Sequence, residues 1–442
     1  MRQTLRRSST RPVPLEPLPD LDQLHRHARE IFDHALSSVD PREAVKQAIN
    51  VNGPVVEIGG VCLDVSSRPI YAIAIGKAAA AMAKGLEEAL GTRLTEGVLT
   101  SSGGHPLPNE ASLAAAHAAF ELLDRANDEE ALVLFLISGG GSAMIEWPVS
   151  DDTSLVDLRA ANQILVTCGA SIAEVNAVRR AFSAVKGGAL ARRAPRARMR
   201  NLIVSDTNPG DEASVASGPT MPSPPEAPIA IEVVEHYQLE TRLPQSVMKA
   251  VRTAARTSQE EELGPAPPAL ILLDNQTALE AAHAKVQALG FTSAILNDIS
   301  EQPIETGCDL LLSRLFVEPT SDPFCAISGG EFSCPIRGDG RGGRNLETVL
   351  RCAIRLAQSE INSGQHFVIL SAGTDGIDGN SPAAGAIADE TTIPRARELG
   401  LDASEYLARS DSYGFFERLN ALIVTGPTGT NVRDLRIFLR SS

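Results

Sequence analysis

The chain has 442 residues and a formal net charge of −15, from 40 Lys and Arg against 55 Asp and Glu, with aromatic residues at only 4%. That balance argues against general binding to nucleic acid or an anionic membrane, and it leaves room for a local basic pocket. Hydrophobic residues at 43% and charged residues at 21% fit a globular chain of two or three domains with real cores.

The first 20 residues, with Arg2, Arg6, Arg7 and Arg11 among serines and prolines, read as a disordered tail, because no apolar segment follows as a secretory signal requires. Helical periodicity starts near Leu21 and continues through Pro41 to Ile49. Strands are expected at 55–58 and 71–75, the second running into Gly76-Lys77 and a helix over 78–90. A strand at 97–100, a helix at 112–126 and a buried strand at 131–137 follow, the last too short to span a bilayer. Helices at 172–185 and, before it, 155–167 lead to a strand at 200–204 ending at Ser205-Asp206. Proline-rich stretches at 221–228 and 264–268 bracket a mostly helical segment, and the second reads as a domain boundary. The pattern then restarts, with strands at 270–273, 292–296, 324–327, 332–336 and 367–370, a last strand at 421–424, and helices at 278–289, 304–316 and 346–357. This order predicts an α/β protein of two domains: a Rossmann-like, mostly parallel sheet over 21–263 and a smaller α/β domain over 267–442, with the active site in the cleft between them. The six cysteines (62, 168, 308, 325, 334 and 352) form no CxxC pair or zinc spacing and read as reduced thiols of a cytoplasmic protein.

Nearly every Gly-rich polar motif falls where a strand ends, which is where ligands sit in open α/β sheets. Gly338-Asp339-Gly340-Arg341-Gly342-Gly343-Arg344-Asn345 precedes a helix and is rich in residues that tolerate positive φ. An arginine in front of a helix N-terminus is electrostatically misplaced unless an anion meets it, so the loop reads as a phosphate cradle, against the alternative of a surface turn with solvated arginines. Lys77 poses the same problem at the start of its helix, and no GxxxxGK[ST] loop occurs. Ser138, Gly139, Gly140, Gly141 and Ser142 form either a backbone nest for an anion or a tight strand-to-helix turn. Gly330, Glu331, Gly340, Gly342, Gly343, Asn345, Asp375 and Asn431 lie in the strand-end motifs of the second unit and complete the expected composite site. Asn176, Arg179 and Arg180 share one helical face that, with Lys186 beyond it, suits a carboxylate or phosphate substrate; a solvated face and a helix C-cap are the alternatives. Asp206 and Asp211, and Asp375 and Asp378, flank glycines at strand ends, as Mg²⁺ ligands, a general base or Asx turns would; Asp206 and Asp375 are the metal candidates. The histidines form no metal motif, with His105 in Gly104-His105-Pro106 the one exposed to a functional reading. Gly338, Gly340 and Gly343 also match GxGxxG, the dinucleotide fingerprint, out of its usual place at the first βα turn.

Taken in order, AIGKAAAAMAKG, GHPLPNE, LISGGGSAM, EVNAVRRAFSAVKGG, IVSDTNPGDEASVASGPT, ISGGEF, GDGRGGRN, SAGTDGIDG and TGPTGTNVRDL resemble the glycerate 2-kinase family, the class II glycerate kinases with DUF4147 and MOFRL domains. The resemblance implies ATP- and Mg²⁺-dependent phosphorylation of D-glycerate at its 2-hydroxyl. It places the family's catalytic lysine on Lys77, its arginine on Arg344 and an aspartate on Asp206. D-glycerate is then the small-molecule partner, with a homodimer allowed. Departures are Thr207-Asn208-Pro209-Gly210-Asp211 after Asp206, Leu346 after GGRN, and Pro222-Ser223 after SGPT; these bear on substrate preference more than on reaction type. Members have also been labelled hydroxypyruvate reductases, so an NAD(P)H-dependent reductase stays open, as does a non-catalytic sugar-phosphate or nucleotide sensor.

Overall fold

The computed structural model describes residues 20–100, 107–257, 266–317, 323–359 and 365–441. The expectations for His105 and most of the N-terminal tail lie outside the described residues.

An antiparallel meander of β1 (Ile49–Asn52), β2 (Val55–Ile58) and β3 (Val61–Asp64) precedes a parallel five-stranded sheet. That sheet contains β4 (Ile70–Ile75), β5 (Leu94–Leu99), β6 (Leu132–Ser138), β7 (Arg198–Val204) and β8 (Ala269–Leu273), in the order β5-β4-β6-β7-β8. Strands β4 and β6 are buried at every position, the continuous apolar run that a parallel strand covered on both faces requires. Helices Glu110–Asp128, Leu155–Thr167 and Ile172–Phe182 each begin with a reciprocal capping box, on Asn109, Ser154 and Ser171.

The second sheet is mixed, with β9 (Thr292–Ile295), β10 (Phe324–Ser328), β11 (Phe367–Gly373), β12 (Gly385–Asp389), β13 (Leu422–Ile423) and β14 (Asp434–Arg440) in the order β13-β12-β11-β14-β10-β9. Only β9 and β10 run parallel; β14 lies antiparallel between β10 and β11. The chain is therefore α/β, with a parallel sheet in its N-terminal part and a mixed sheet in its C-terminal part.

Sheet membership cuts across the chain at two points. The strand expected to open the second unit, β8, instead completes the first sheet beside β7, with Asn201 N donating to Pro268 O just before it. The first helix, Leu21–Ser38, buries Leu24, Ala28, Ile31, Phe32 and Ala35 against the second sheet, among Leu279, Ile327, Leu370 and Ile437. The strand expected at 332–336 is absent: Pro335 has no N–H to give a ladder, and only Ser333 makes an isolated bridge, to Pro303. The expected last strand shrinks to Leu422–Ile423, and the true last strand is β14, a fully buried central strand.

Candidate active site

In the first sheet the strand order reverses between β4 and β6, the switch point at which α/β sheets open a crevice. Two loops meet there. Gly76 has φ +108°, and a Cβ on it would stand 2.2 Å from Ser138 O, so the close approach of these loops requires glycine. Lys77 N donates to Gly139 O at 2.9 Å, and Ala78 N donates to Ser138 Oγ at 3.0 Å. The helix itself starts at Ala79, leaving Lys77 just ahead of it. A Cβ on Gly139 would lie 1.8 Å from Asp206 Oδ2, and one on Gly140 3.0 Å from Lys77 Cγ. The glycines thus seat Lys77 and Asp206, a use that their small size alone did not reveal.

The second sheet supplies the opposite wall. Because β14 runs antiparallel, its first residue, Asp434, pairs with Gly373 at the end of β11, and Arg436 pairs with Ser328 at the end of β10. Arg344, the first residue of helix Arg344–Leu356, donates through Nε to Asp434 Oδ2 at 2.6 Å and stands 2.8 Å from Glu331 Oε1. Burial works against its charge, but Asp434 and Glu331 outweigh it and raise its pKa. Gly343 caps that helix without a side chain; Asp378 supplies the carboxylate instead, accepting from Asn345 N at 3.1 Å and Leu346 N at 2.8 Å. Burial, reinforced by Asp434, pushes Asp378 up to about 7 against the pull of those N–H groups. Asn345 is held by Asp434 at 2.8 Å and by Ser371 at 2.6 Å. Gly342, at φ +138°, and Gly340 pass so close to Ser412 and Asp411 that a Cβ on either would lie within 2.6 Å of them.

The two walls touch. Lys77 Nζ lies 2.8 Å from Asp375 Oδ2, Asn431 Nδ2 donates to Asp206 Oδ2 at 3.3 Å, and Arg433 bridges Asn208 and Glu301. Beside that contact is a cavity of about 900 Å³ whose lining includes Glu331, Arg344, Asp375, Asn431 and Asp434 of the second wall and Lys77 of the first; Asp206 and the loop at 138–142 stand behind Lys77, outside the lining. Burial, with Asp375 nearby, raises the Asp206 carboxyl to about 6, while its own backbone, Lys77 and Arg433 pull the other way. Among the described residues no cluster of three or more His, Cys, Asp or Glu is arranged to hold a metal, and no helix is long and apolar enough to cross a membrane.

The remaining expected site residues are placed as follows. Gly340, Gly342 and Gly343 line the same cavity, and Gly330 lines a smaller recess of about 280 Å³ behind Arg433. Ser142 Oγ and Ser217 Oγ are 2.7 Å apart, and Ser217 donates to Asn176 Oδ1 at 2.8 Å. Arg179 and Lys186 are buried and do not line the cavity; Arg179 Nε donates to Asn162 Oδ1 at 2.8 Å, and Lys186 pairs with Glu146. Arg433 and Asp434 lie inside the TGPTGTNVRDL stretch without a local signal of their role, because the charges of strand Asp434–Arg440 mask it as a buried strand.

Residues 27–252 match a domain of unknown function (DUF4147), and residues 324–434 match the MOFRL family. The D-glycerate 2-kinase of Thermotoga maritima is 34% identical over 95% of this chain and 99% of its own length, and the glycerate 2-kinase of Pyrococcus horikoshii is 32% identical over 93% and 96%. A protein of Agrobacterium vitis provisionally named a hydroxypyruvate reductase is 34% identical over 93% of each chain. The crystal structure of the glycerate kinase of Thermotoga maritima superposes with a TM-score of 0.77, at 32% identity over 95% of this chain and 99% of that one. With both family regions in order, near-complete coverage of its relatives and a shared fold, the chain belongs to the glycerate kinase family.

Proposed function

We propose that the chain is an ATP- and Mg²⁺-dependent kinase that converts D-glycerate to 2-phospho-D-glycerate in the cytoplasm. The observation carrying this reading is the convergence of Lys77 and Arg344, from separate sheets, on one cavity of about 900 Å³. That volume falls within the range of ligand pockets, roughly 300–1,000 Å³. The carboxylates fit Mg²⁺, which is typically held by one or two carboxylates plus substrate phosphates rather than by a protein cage. Asp375 is the residue that would hold the ion, and when bound it would neutralise charge on the nucleotide phosphates.

The chain's own groups divide the remaining work. The glycerate 2-hydroxyl oxygen forms a bond to the γ-phosphorus as the bond from that phosphorus to the ADP oxygen breaks, and the hydroxyl proton passes to Asp206. Asp206, raised to about 6, is ionised at neutral pH yet basic enough to accept that proton. Lys77 would exchange its Asp375 partner for the migrating phosphoryl group, and Arg344 would stabilise charge from the opposite wall. The glycine loops at 138–142 and 338–345 would position the phosphates, and closure of the cleft would exclude water.

The reductase reading has one motivation in a relative's name and another in the GxGxxG match. Its structural context is poor, because the backbone before Gly338 is irregular where the fingerprint needs a strand. A coupled ADP-release assay tests the proposal, with the expected result that ADP release requires both D-glycerate and Mg²⁺. NADH oxidation by hydroxypyruvate without ATP would overturn it in favour of the reductase, and nucleotide binding without turnover in favour of a sensor.

A further inference from the structure

The cavity beside Arg344 has two kinds of surface. One part is charged, with Lys77, Asp375, Arg344 and Glu331. The other is apolar, with Phe332, Pro335, Ile336 and Ile377. Ile336 is 86% exposed and Ile377 46%. An isolated apolar side chain on a surface needs no explanation. Two of them, on separate loops that border one cavity of ligand size, are a different matter, because ligand pockets pair apolar walls with a few convergent polar groups.

The backbone on both sides of Ile336 is tied down. Before it, Ser333 N donates to Gln302 O and Ile304 N donates to Ser333 O, both at 3.0 Å. After it, Arg337 N donates to Ser410 Oγ at 2.9 Å, the Arg337 guanidinium reaches Glu305 at 2.6 Å, and Gly340 N donates to Arg409 O at 3.0 Å. Ile377 lies two residues beyond Asp375, the partner of Lys77, and its N–H donates to Asp375 Oδ1 at 3.2 Å. Asp378 N donates to Ala383 O at 2.7 Å, and Gly376, at φ +84°, packs on Gly426 O too closely for a Cβ. The fold therefore holds both isoleucines uncovered at the cavity surface.

The reactants differ in what they can offer that surface. Every carbon of D-glycerate carries oxygen and the phosphates are charged, so neither gains from an apolar wall. A purine ring has two apolar faces, and it belongs to the same molecule as the phosphates that Lys77 and Arg344 would meet. We propose that Ile336 and Ile377 form the nucleobase seat of the cavity, covering the purine of ATP while its phosphates reach toward Lys77 and Arg344. This rests on the kinase reading and adds the residues that bind the nucleoside half. It also separates the two reactants. Apart from Lys77 the lining comes from the second unit, which holds the nucleotide, and Asp206 stands outside that lining, on the side left to the acceptor.

The test is calorimetric titration of the full chain with ATP and with inorganic tripolyphosphate, which has the phosphates without a base, both in excess Mg²⁺. Wild type is compared with Ile336→Ser, Ile377→Ser and the double variant. Kd for ATP should rise at least about threefold in each single variant and at least about tenfold in the double one, the scale of uncovering part of two buried aliphatic side chains. Kd for tripolyphosphate should stay within about twofold. In steady-state ADP release, KM for ATP should rise while KM for D-glycerate and kcat hold within about twofold. Ile336 is so exposed that its substitution leaves the fold intact, and that variant carries the test alone should Ile377→Ser shift the melting temperature. An unchanged Kd for ATP, or an equal loss for ATP and tripolyphosphate, would overturn the seat, as would a wild-type protein that binds no ATP. A wild-type protein that binds ATP without glycerate-dependent ADP release would remove the kinase reading instead, and the two titrations would still decide the seat.

Discussion

Replacing Asp206 with Asn should make the protein more stable at neutral pH while abolishing turnover. Asp206 is packed in on most sides, and burial raises its carboxyl from 3.8 to about 6. In the unfolded chain it titrates near 3.8, so between about pH 4 and pH 6 the folded state binds a proton that the unfolded state does not. Stability contributed by that proton is complete below about pH 4, falls as pH rises toward 6, and is gone above it. The difference of about 2 pH units corresponds to roughly 3 kcal/mol at 1.36 kcal/mol per unit, a ceiling because Asp206 keeps an accessible edge. Asn is nearly isosteric and can still accept from Asn431 Nδ2, which now reaches Asp206 Oδ2 at 3.3 Å. In chelator-treated protein at pH 8, Asp206→Asn should therefore gain up to about 3 kcal/mol, or roughly 6–12 °C in the transition of its unit at 2–4 °C per kcal/mol. At pH 4 the gain should vanish, because a protonated Asp and an Asn then differ little. Paired thermal melts at pH 8 and pH 4 decide the matter. An equal shift at both pH values, or none at pH 8, would refute a strained, ionised carboxylate at this position.

Lys77→Ala and Arg344→Ala should each lose on the order of 10²-fold or more in kcat while keeping a wild-type circular dichroism spectrum, the scale of removing a transition-state donor; a folded variant with near-full activity would strike that residue from the machinery. Lys186→Met should cost about 3–5 kcal/mol in urea unfolding, because it strands the buried Glu146 carboxylate, and adding Glu146→Gln should recover much of the loss. Gly139→Ala should lose activity more than stability, since its Cβ would displace Asp206 Oδ2 from a point 1.8 Å away; kcat against melting temperature checks the split.

The parts of the site legible in the sequence are those in which charge and backbone conflict locally. Lys77 stands just before a helix and Arg344 opens one, a misplacement visible without coordinates, and both face the cavity. Illegible parts depended on contacts between distant residues. Strand β14 reads DLRIFLR, and charges at its first, third and last positions suggest an exposed or irregular segment. All seven residues are in fact buried: Arg436 stacks 3.5 Å from the Phe332 ring centroid and donates to Ser328 Oγ at 3.0 Å. The apolar face of helix Leu21–Ser38 packs on the second sheet although the helix precedes the first in the chain, so its periodicity marks the helix without its location. A glycine likewise announces that something must come close without saying what. At Gly139 it is the carboxylate of Asp206, and at Gly340 the backbone beside Asp411.

Strand direction accounts for the way the second wall is assembled. In an all-parallel sheet every strand enters from the edge opposite the ligand, and a charged residue at the start of β14 would lie a strand's length from Arg344, about 23 Å for seven residues at 3.3 Å each. Running antiparallel, β14 begins where β10 and β11 end, and that brings Asp434 to Arg344 and Asn345. The same reversal carries the segment just before the strand, with Asn431 and Arg433, across the seam to Asp206 and Asn208 of the first wall. One strand direction thus sets both the charge balance of Arg344 and the direct polar links between the walls. Each cation in the cleft already faces a carboxylate, Lys77 with Asp375 and Arg344 with Asp434 and Glu331. A polyanion arriving alone would compete with those carboxylates, whereas one accompanied by a divalent cation brings a new partner for them. Nucleotide affinity should therefore depend on Mg²⁺ even without acceptor, and calorimetric titration of ATP with and without Mg²⁺ should show at least about a tenfold difference in Kd. Equal affinity under both conditions would mean that the cleft carboxylates do not meet the metal.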